Sequence, residues 1–544
     1  CGWRVRPRSR PERRLAWTSL RAAAGSRAAC YHPRPRMGPG ADVRWERWLP
    51  VAGVATALLV LLPYAQSAAA LVAYPWDWFP DEGLYLDYAR RVVSAPGSLY
   101  AHAVSPAPDF YGPVLPLLLA PLVRTAGAPF VATRLLACLW TALIAGAVFV
   151  LVRRRAPVGQ AALAVALVLV PGHLSFWFLL VRPDGPMLAF WLWAAVVCLP
   201  LSLRRGADSL SWPRAAGGAL LLALATFSKP TAVLHGAPLV LGWLLVDTRG
   251  ALRLGGLLAG MVAAVVSVLQ AVSHGGYLRN LVFWTTHERQ PGLLEFNLRF
   301  FLAATGPIVA LTLLGLLASL WRREKPWGDS TLLLVLGGLV IVPTLGKYGA
   351  LAHYLLPLLC GLVVVAGRCW WPREQATRAR LAATLASVAT ALVLARTQFV
   401  PLPPRGSAAT AQAFYGAVAA LVREGGRPLL ALRPEYAYFH VGQRVEVEGS
   451  GFKFLFAAGA PGSGEVLARL ERRAYGAVAL LPMGVTEDEP IAQALHRQYV
   501  SLGSCQLSYY SGLTTAILMV PRDRPARFDP PSGTRCSGAA PVAP

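Results

Sequence analysis

"PWDWFPDEGLYLDYARR", residues 75–91, follows directly on a long apolar run and packs four acids into a chain that has few; two of them, Asp81 and Glu82, are adjacent, with aromatic residues on both sides. What the preceding run is decides the fold. The 544-residue chain is 55% hydrophobic and only 15% charged, with a positive mean hydropathy. Soluble domains rarely have this composition, and multi-span membrane proteins do. Apolar windows of about 20 residues, the length that crosses a bilayer, recur from residue 48 to 396 and then stop. We read eleven spans, near 48–73, 130–151, 157–172, 185–203, 214–228, 231–246, 254–273, 300–320, 329–346, 351–367 and 380–396. The window 214–228 is the weakest, being short for a crossing. No repeat of solenoid period is evident.

The net charge of +25 invites a nucleic-acid partner, but its distribution argues against one. Ten arginines lie between Arg4 and Arg36, within a basic leader (1–47) that is expected to have no fold of its own; "MGPGADVRWERWLP" from Met37 reads as a normal start. The remaining basic residues form short clusters between apolar runs. With the N-terminus in the cytoplasm, six successive inside positions carry Arg44 and Arg47; Arg153–Arg155; Arg204 and Arg205; Arg249 and Arg253; Arg322, Arg323 and Lys325; and Arg368 to Arg380. All six obey the positive-inside rule. The Asp81–Glu82 loop then lies outside the cytoplasm, as does everything after 396. A signal peptide cleaved near "AQSAAA" (65–70) is the competing reading of the first span and leaves the rest of the topology unchanged.

Residues 397–523 read differently. "AFYGAVAALVREGG" has helical spacing, "RPLLALRP" and "GLTTAILMV" read as strands, and "EVLARLERRAYGAVALLP" as helix then strand. This predicts a small extracytoplasmic α/β domain behind a transmembrane domain of 48–396, with 524–544 a Pro- and Gly-rich disordered tail. Of eight cysteines, Cys138, Cys198 and Cys360 fall in apolar spans as small buried hydrophobes, whereas Cys505 and Cys536 share the outside domain, where a disulfide could persist. There is no compact metal-ligand motif, GxGxxG or P-loop, so the sequence calls for no cofactor and leaves a divalent metal open.

Candidate chemistry therefore sits at the outer ends of the spans. Asp81 and Glu82 come first: adjacent carboxylates in a partly dry site cannot both ionise cheaply, so one would serve as proton acceptor, unless both are simply solvated. "YPWDWF" suits an interfacial helix, and 113–123 a second one. Arg134 lies in the outer turn of the next span, where an arginine either lines a polar site or snorkels to the headgroups. "LVRPDGPML" supplies Arg182 and Asp184, which equally suit a local pair capping the next helix. Only four of the 52 basic residues are lysines, and two, Lys229 in "FSKPTA" and Lys347 in "LGKYGALAHYLLP", lie at outer boundaries, where an ammonium suits a phosphate. His353 and Tyr354 would line the same cavity, with edge packing the plainer role for Tyr354. "THERQ" (286–290) reads as an outer loop. A carboxylate pair with several cations suits an anionic lipid-phosphate donor and an acceptor needing deprotonation.

The order "DEGLYLDYAR", "YGPVLPLLLAPL", "ATRLLACLW", "VRPDGPMLAF", "ATFSKPTAVL" and "HYLLPLL", over residues 48–370, resembles the GT-C fold glycosyltransferases of the protein O-mannosyltransferase group (glycosyltransferase family 39). It is similar also to the bacterial aminoarabinose transferases acting on lipid A. The resemblance implies a polytopic helical protein with a polyprenyl-phosphate-sugar donor and inversion at the anomeric carbon. It makes Asp81 the catalytic base, Glu82 its neighbour in the acceptor site, and Arg134 a donor-phosphate contact. Arg182, Lys229 and Lys347 would join it at the phosphate, with Tyr111, Asp184, His353 and Tyr354 around the substrate. The β-trefoil insert of eukaryotic members and the "WWDYG" signature of oligosaccharyltransferases are both absent. Heavy use of Arg and Ala points to a GC-rich bacterial genome and hence to the inner membrane. The acceptor is left open, and the alternative is a transporter or lipid flippase, which should show duplicated halves and midplane charges.

Overall fold

The computed structural model describes residues 42–538 apart from short segments, the longest being 101–110, 370–376, 444–461 and 482–488. By contacts the chain divides into residues 1–47 and 48–544. The basic leader falls outside the described residues up to 41, and a helix begins at Asp42; "THERQ" lies largely outside them too.

Every apolar window of the sequence is helical. The first helix, α1 (Asp42–Ala73), leads through residues 74–79, an irregular segment where an interfacial helix was expected, to the amphipathic α2 (Glu82–Ser94) and then to the short α3 (Val114–Thr125), the second element expected at the membrane surface. Then come α4 (Pro129–Arg153), α5 (Val158–Leu169), a short helical turn over Gly172–Leu179, α6 (Asp184–Cys198), α7 (Trp212–Ser228), α8 (Ala232–Val246) and α9 (Thr248–Val272). Beyond Gly276–Thr285, a further short helix, lie the helices Leu293–Trp321, Leu332–Leu339, Leu356–Cys369 and Thr377–Thr397. Among the described residues six helices are long and apolar enough to cross a membrane, seven if α5 and the turn after it, bent by 72°, count as one span. The other apolar windows are shorter helices, so the count of eleven is a count of apolar segments. Proline explains part of the shortening: Pro171 and Pro183 break the path on either side of the Gly172–Leu179 turn, and Pro230 ends α7.

Leu58, Leu59, Leu252 and Val268 are each more than 60% exposed, on helices whose opposite faces pack inward. Large aliphatic side chains in such continuous array face lipid. Helix Leu356–Cys369 lies at the centre, almost wholly enclosed.

The C-terminal domain is a five-stranded sheet, β1 (Leu429–Leu432), β2 (Ala477–Leu480), β3 (Tyr499–Tyr509), β4 (Gly512–Pro521) and β5 (Cys536–Gly538), in the order β1-β2-β4-β3-β5. Only β1 and β2 run parallel. Strand alternation sends Leu430, Leu432, Val478 and Leu480 to one face, against helices Ser463–Glu471 and Pro490–Gln498. Leu429, Ala431, Ala477 and Ala479 point the other way, with helix Ser407–Gly425, into an apolar core continuous with that of the membrane helices. The expected tail needs correction: residues 536–538 pair with β3, and Cys505 and Cys536 form a disulfide. A three-residue strand far from its partner in sequence carries no periodic signal. Replacing both cysteines by serine should lower the stability of the outer domain by about 3.7 kcal/mol, the loop-closure value for a crosslink spanning 31 residues, measured by thermal denaturation with and without reductant.

Candidate active site

The loop after α1 is built around Glu82. Its carboxylate lies in the first turn of α2 and is fully buried; Oε2 accepts from the backbone N–H of Trp78 (2.7 Å) and Phe79 (3.2 Å), and Oε1 from that of Val181 (3.2 Å). Arg134, reaching in from α4, donates Nε to Oε1 (3.2 Å) and Nη2 to Oε2 (2.7 Å). Its remaining donors go to the carbonyls of Leu71, Tyr74 and Trp76. All five guanidinium N–H groups are thus occupied inside the protein. The structure therefore gives both side chains a full set of partners within the loop. Together they fold the loop, because a buried carboxylate and a buried guanidinium are tolerable only when each is fully partnered.

The two adjacent carboxylates diverge. Asp81, one residue outside α2, faces Arg182, whose Nη1 donates to Oδ2 at 2.9 Å. Arg182 also contacts Asp184 (Nε to Oδ2, 3.4 Å), and Asp184 accepts from Lys229 Nζ at 2.6 Å. The four side chains form one chain of alternating charge: Asp81 just before α2, Arg182 just before α6, Asp184 in its first turn and Lys229 just after α7, with the Asp81 side chain 16% exposed and the others at 5% or less. Proline punctuation sets the geometry. Pro183 precedes Asp184 in the first turn of α6, and Pro230 leaves Lys229 extended at the end of α7. Asp184 keeps the local pair with Arg182 and adds Lys229, so it bridges two cations.

Aromatic rings line this network. The Arg182 guanidinium lies over Phe79 (4.6 Å), Trp177 (5.0 Å) and Tyr85 (5.8 Å), and Lys229 Nζ sits 3.7 Å from the centre of the Tyr354 ring. Tyr111 packs on Tyr85 with ring centres 5.7 Å apart. Burial pushes the hydroxyls of Tyr85 and Tyr111 well above their ordinary range, so both remain protonated donors. His353 stacks on Trp177 at 4.2 Å and is buried, its Nε2 3.7 Å from Asp184 Oδ1, and neither ring nitrogen has a hydrogen-bond partner. Lys347 is half-buried and pairs through its backbone with Arg289.

Gly112, in "YGPV", packs so tightly on α7 that an added Cβ would fall 1.9 Å from the Phe227 carbonyl oxygen, two residues before Lys229. Gly112→Ala should displace that turn and lose most activity, or fold poorly, as read by yield of monodisperse protein and by transfer assay. Phe79, Tyr85 and Trp177 escaped the sequence reading; an aromatic in an apolar chain gives no sign that it covers an arginine. Among the described residues no group of three His, Cys, Asp or Glu could hold a metal.

A membrane-helix domain followed by a small sheet domain places the chain in the GT-C fold class, as the solved structures it resembles show. The structure is similar to ArnT from Cupriavidus metallidurans, with a TM-score of 0.57 in the apo state, 14% identity, and 88% of this chain covering 98% of that one. The same protein bound to undecaprenyl phosphate gives 0.55, 13% identity and coverage of 86% and 97%. The Archaeoglobus fulgidus oligosaccharyltransferase gives 0.51 at 12% identity, covering 90% of this chain and 76% of that one. Residues 108–274 match the family model described as dolichyl-phosphate-mannose-protein mannosyltransferase. No curated protein sequence matches the chain. The transporter alternative finds no support in these likenesses.

Proposed function

We propose that this multi-pass membrane protein transfers a sugar from a polyprenyl-phosphate donor to an acceptor outside the cytoplasm, with Asp81 as base. The observation that carries the reading is the network itself: Asp81, its most exposed member, is linked through Arg182 and Asp184 to Lys229, so a base and two cations meet in one pocket of aromatic rings. Similar folds support it, one bound to undecaprenyl phosphate and one in complex with a dolichol-phosphate.

In the step itself the acceptor O–H or N–H gives its proton to Asp81 as its heteroatom bonds to the anomeric carbon from the face opposite the phosphate. The bond from that carbon to the phosphate oxygen breaks, and the polyprenyl phosphate leaves with the electron pair. The phosphate thereby gains a negative charge, which is the moment at which cations contribute most. Among the described residues, the carboxylate bonds of Arg182 engage Nε and Nη1 and that of Lys229 engages Nζ once, which leaves donors to offer the phosphate. Asp184 fixes both cations in advance, so little reorganisation is needed as charge develops. In this reading the N-terminus is cytoplasmic and the C-terminal domain extracytoplasmic, in a bacterial inner membrane, following the alternation of basic clusters.

The test is transfer from a panel of radiolabelled polyprenyl-phosphate sugars by the protein in liposomes. Label passing to an acceptor or to water supports the proposal. Label that only changes leaflet would replace it with a flippase.

A further inference from the structure

The segment that delivers Asp81 is gripped from outside the membrane domain. Asp77, four residues before Asp81, is 3% exposed, and its carboxylate accepts from the hydroxyl of Tyr415 at 2.7 Å and, more loosely, of Tyr509 at 3.4 Å. Tyr415 belongs to helix Ser407–Gly425 and Tyr509 to β3, both in the C-terminal domain. The same Tyr415 ring stacks on Trp76 at 5.2 Å, and Tyr436 and His440 meet Trp76 edge-on at 5.8 Å. On its other side the segment is held by Arg134, through the carbonyls of Tyr74 and Trp76. Residues 74–79 thus lie between a membrane-domain arginine and an aromatic cage supplied by the appended domain. Of these two holds, the arginine serves the loop's fold. The tyrosine hydroxyls add a second hold, directed at one carboxylate.

We propose that the C-terminal domain sets the position of the Asp81 base through the Tyr415–Asp77–Tyr509 clamp, so that Asp77, Tyr415 and Tyr509 are positioning residues for transfer. This rests on the reading of Asp81 given above. A base displaced by about 1 Å loses on the order of a hundredfold in rate without losing substrate affinity. The clamp should therefore act on kcat and leave the donor KM alone.

The groups facing Asp77 are Tyr415, Tyr509, Tyr74, Tyr436, Glu82 and Arg134. Burial raises its carboxyl to about 7, with the Tyr415 hydrogen bond opposing, Glu82 adding to the rise and Arg134 opposing it. An uncharged hydrogen-bonding side chain is accordingly tolerable there, and Asp77→Asn, which can still accept from Tyr415, is the conservative variant.

Two measurements on the full-length protein decide the matter. One is backbone hydrogen exchange over residues 77–84; the other is kcat and donor KM. In the double variant Tyr415→Phe/Tyr509→Phe, which keeps both rings, exchange should quicken and kcat fall about tenfold with KM within twofold. Asp77→Leu should do the same or more, and Asp77→Asn should recover at least a third of the wild-type kcat. Unchanged exchange in the double variant overturns the clamp. Faster exchange with unchanged kcat, or a fall in kcat matched by loss of donor binding, overturns the positioning role. Were the wild type itself to transfer no sugar, that failure would belong to the proposed function, and the exchange measurement would still decide the clamp.

Discussion

Asp81→Asn should abolish sugar transfer, lowering kcat by about 10²–10⁴-fold, the usual contribution of a positioned general base. The amide keeps the size of the carboxylate and removes its capacity to take a proton. Folding should survive, because Asp81 is the most exposed member of its network and Arg182 keeps Asp184 as a partner. Donor binding should survive as well: Arg182 keeps Asp184 as partner, and with one neighbouring anion gone it presents more positive charge to the donor phosphate. The signature is a collapsed kcat with donor KM equal to or below that of the wild type, measured with label in the lipid-linked sugar. Transfer within tenfold of wild type would remove Asp81 from the mechanism and leave the Asp184 network without a base. Lys229→Met makes the contrasting case. It leaves Asp184 buried with Arg182 as its nearest formal counter-charge, His353 being farther off at 3.7 Å, and should raise the donor KM as well as lower kcat.

What could be read from the sequence follows physical lines. The helices were legible because hydrocarbon demands long apolar windows, and the strands as short apolar runs, since β1 and β2 are buried on both faces. Asp81, Arg182, Asp184 and Lys229 were legible as candidates because a charge at the outer end of an apolar helix is costly and therefore rare. Their connection was not: Asp184 bridging Arg182 to Lys229 depends on how α6 lies against α7, which no local pattern encodes. Asp77 was hidden for a related reason. It stands in the same stretch as Asp81, but its partners Tyr415 and Tyr509 are 338 and 432 residues away. The strand β5 was missed because three residues hold their place through a disulfide and pairing with β3, neither of which leaves a periodic trace.

Arg134 is the instructive case, and its replacement carries the second large expected effect. An arginine in the outer turn of a span is equally suited, by sequence, to a substrate phosphate and to a buried carboxylate. The structure distinguishes them, since Arg134 and Glu82 side chains are both fully enclosed at 2.7 Å. Arg134→Ala would strand the Glu82 carboxylate together with the carbonyls of Leu71, Tyr74 and Trp76. Breaking a buried pair from one side costs about 3–5 kcal/mol. The expected result is low yield and a markedly lower unfolding temperature in detergent, with activity lost in proportion to folded protein. A phosphate-binding role predicts the opposite pattern: normal stability with a raised donor KM. Removing both charges separates the two further. Glu82→Gln/Arg134→Met relieves the uncompensated charge and should recover stability relative to Arg134→Ala, since uncharged replacements of a buried pair are often near neutral. If Arg134 held the donor phosphate, the double variant would be no more active per folded molecule than the single one, and its KM would stay high. If instead Arg134 only shapes the loop, whatever folds should bind donor as the wild type does, and the loss should appear in how well Asp81 is aimed.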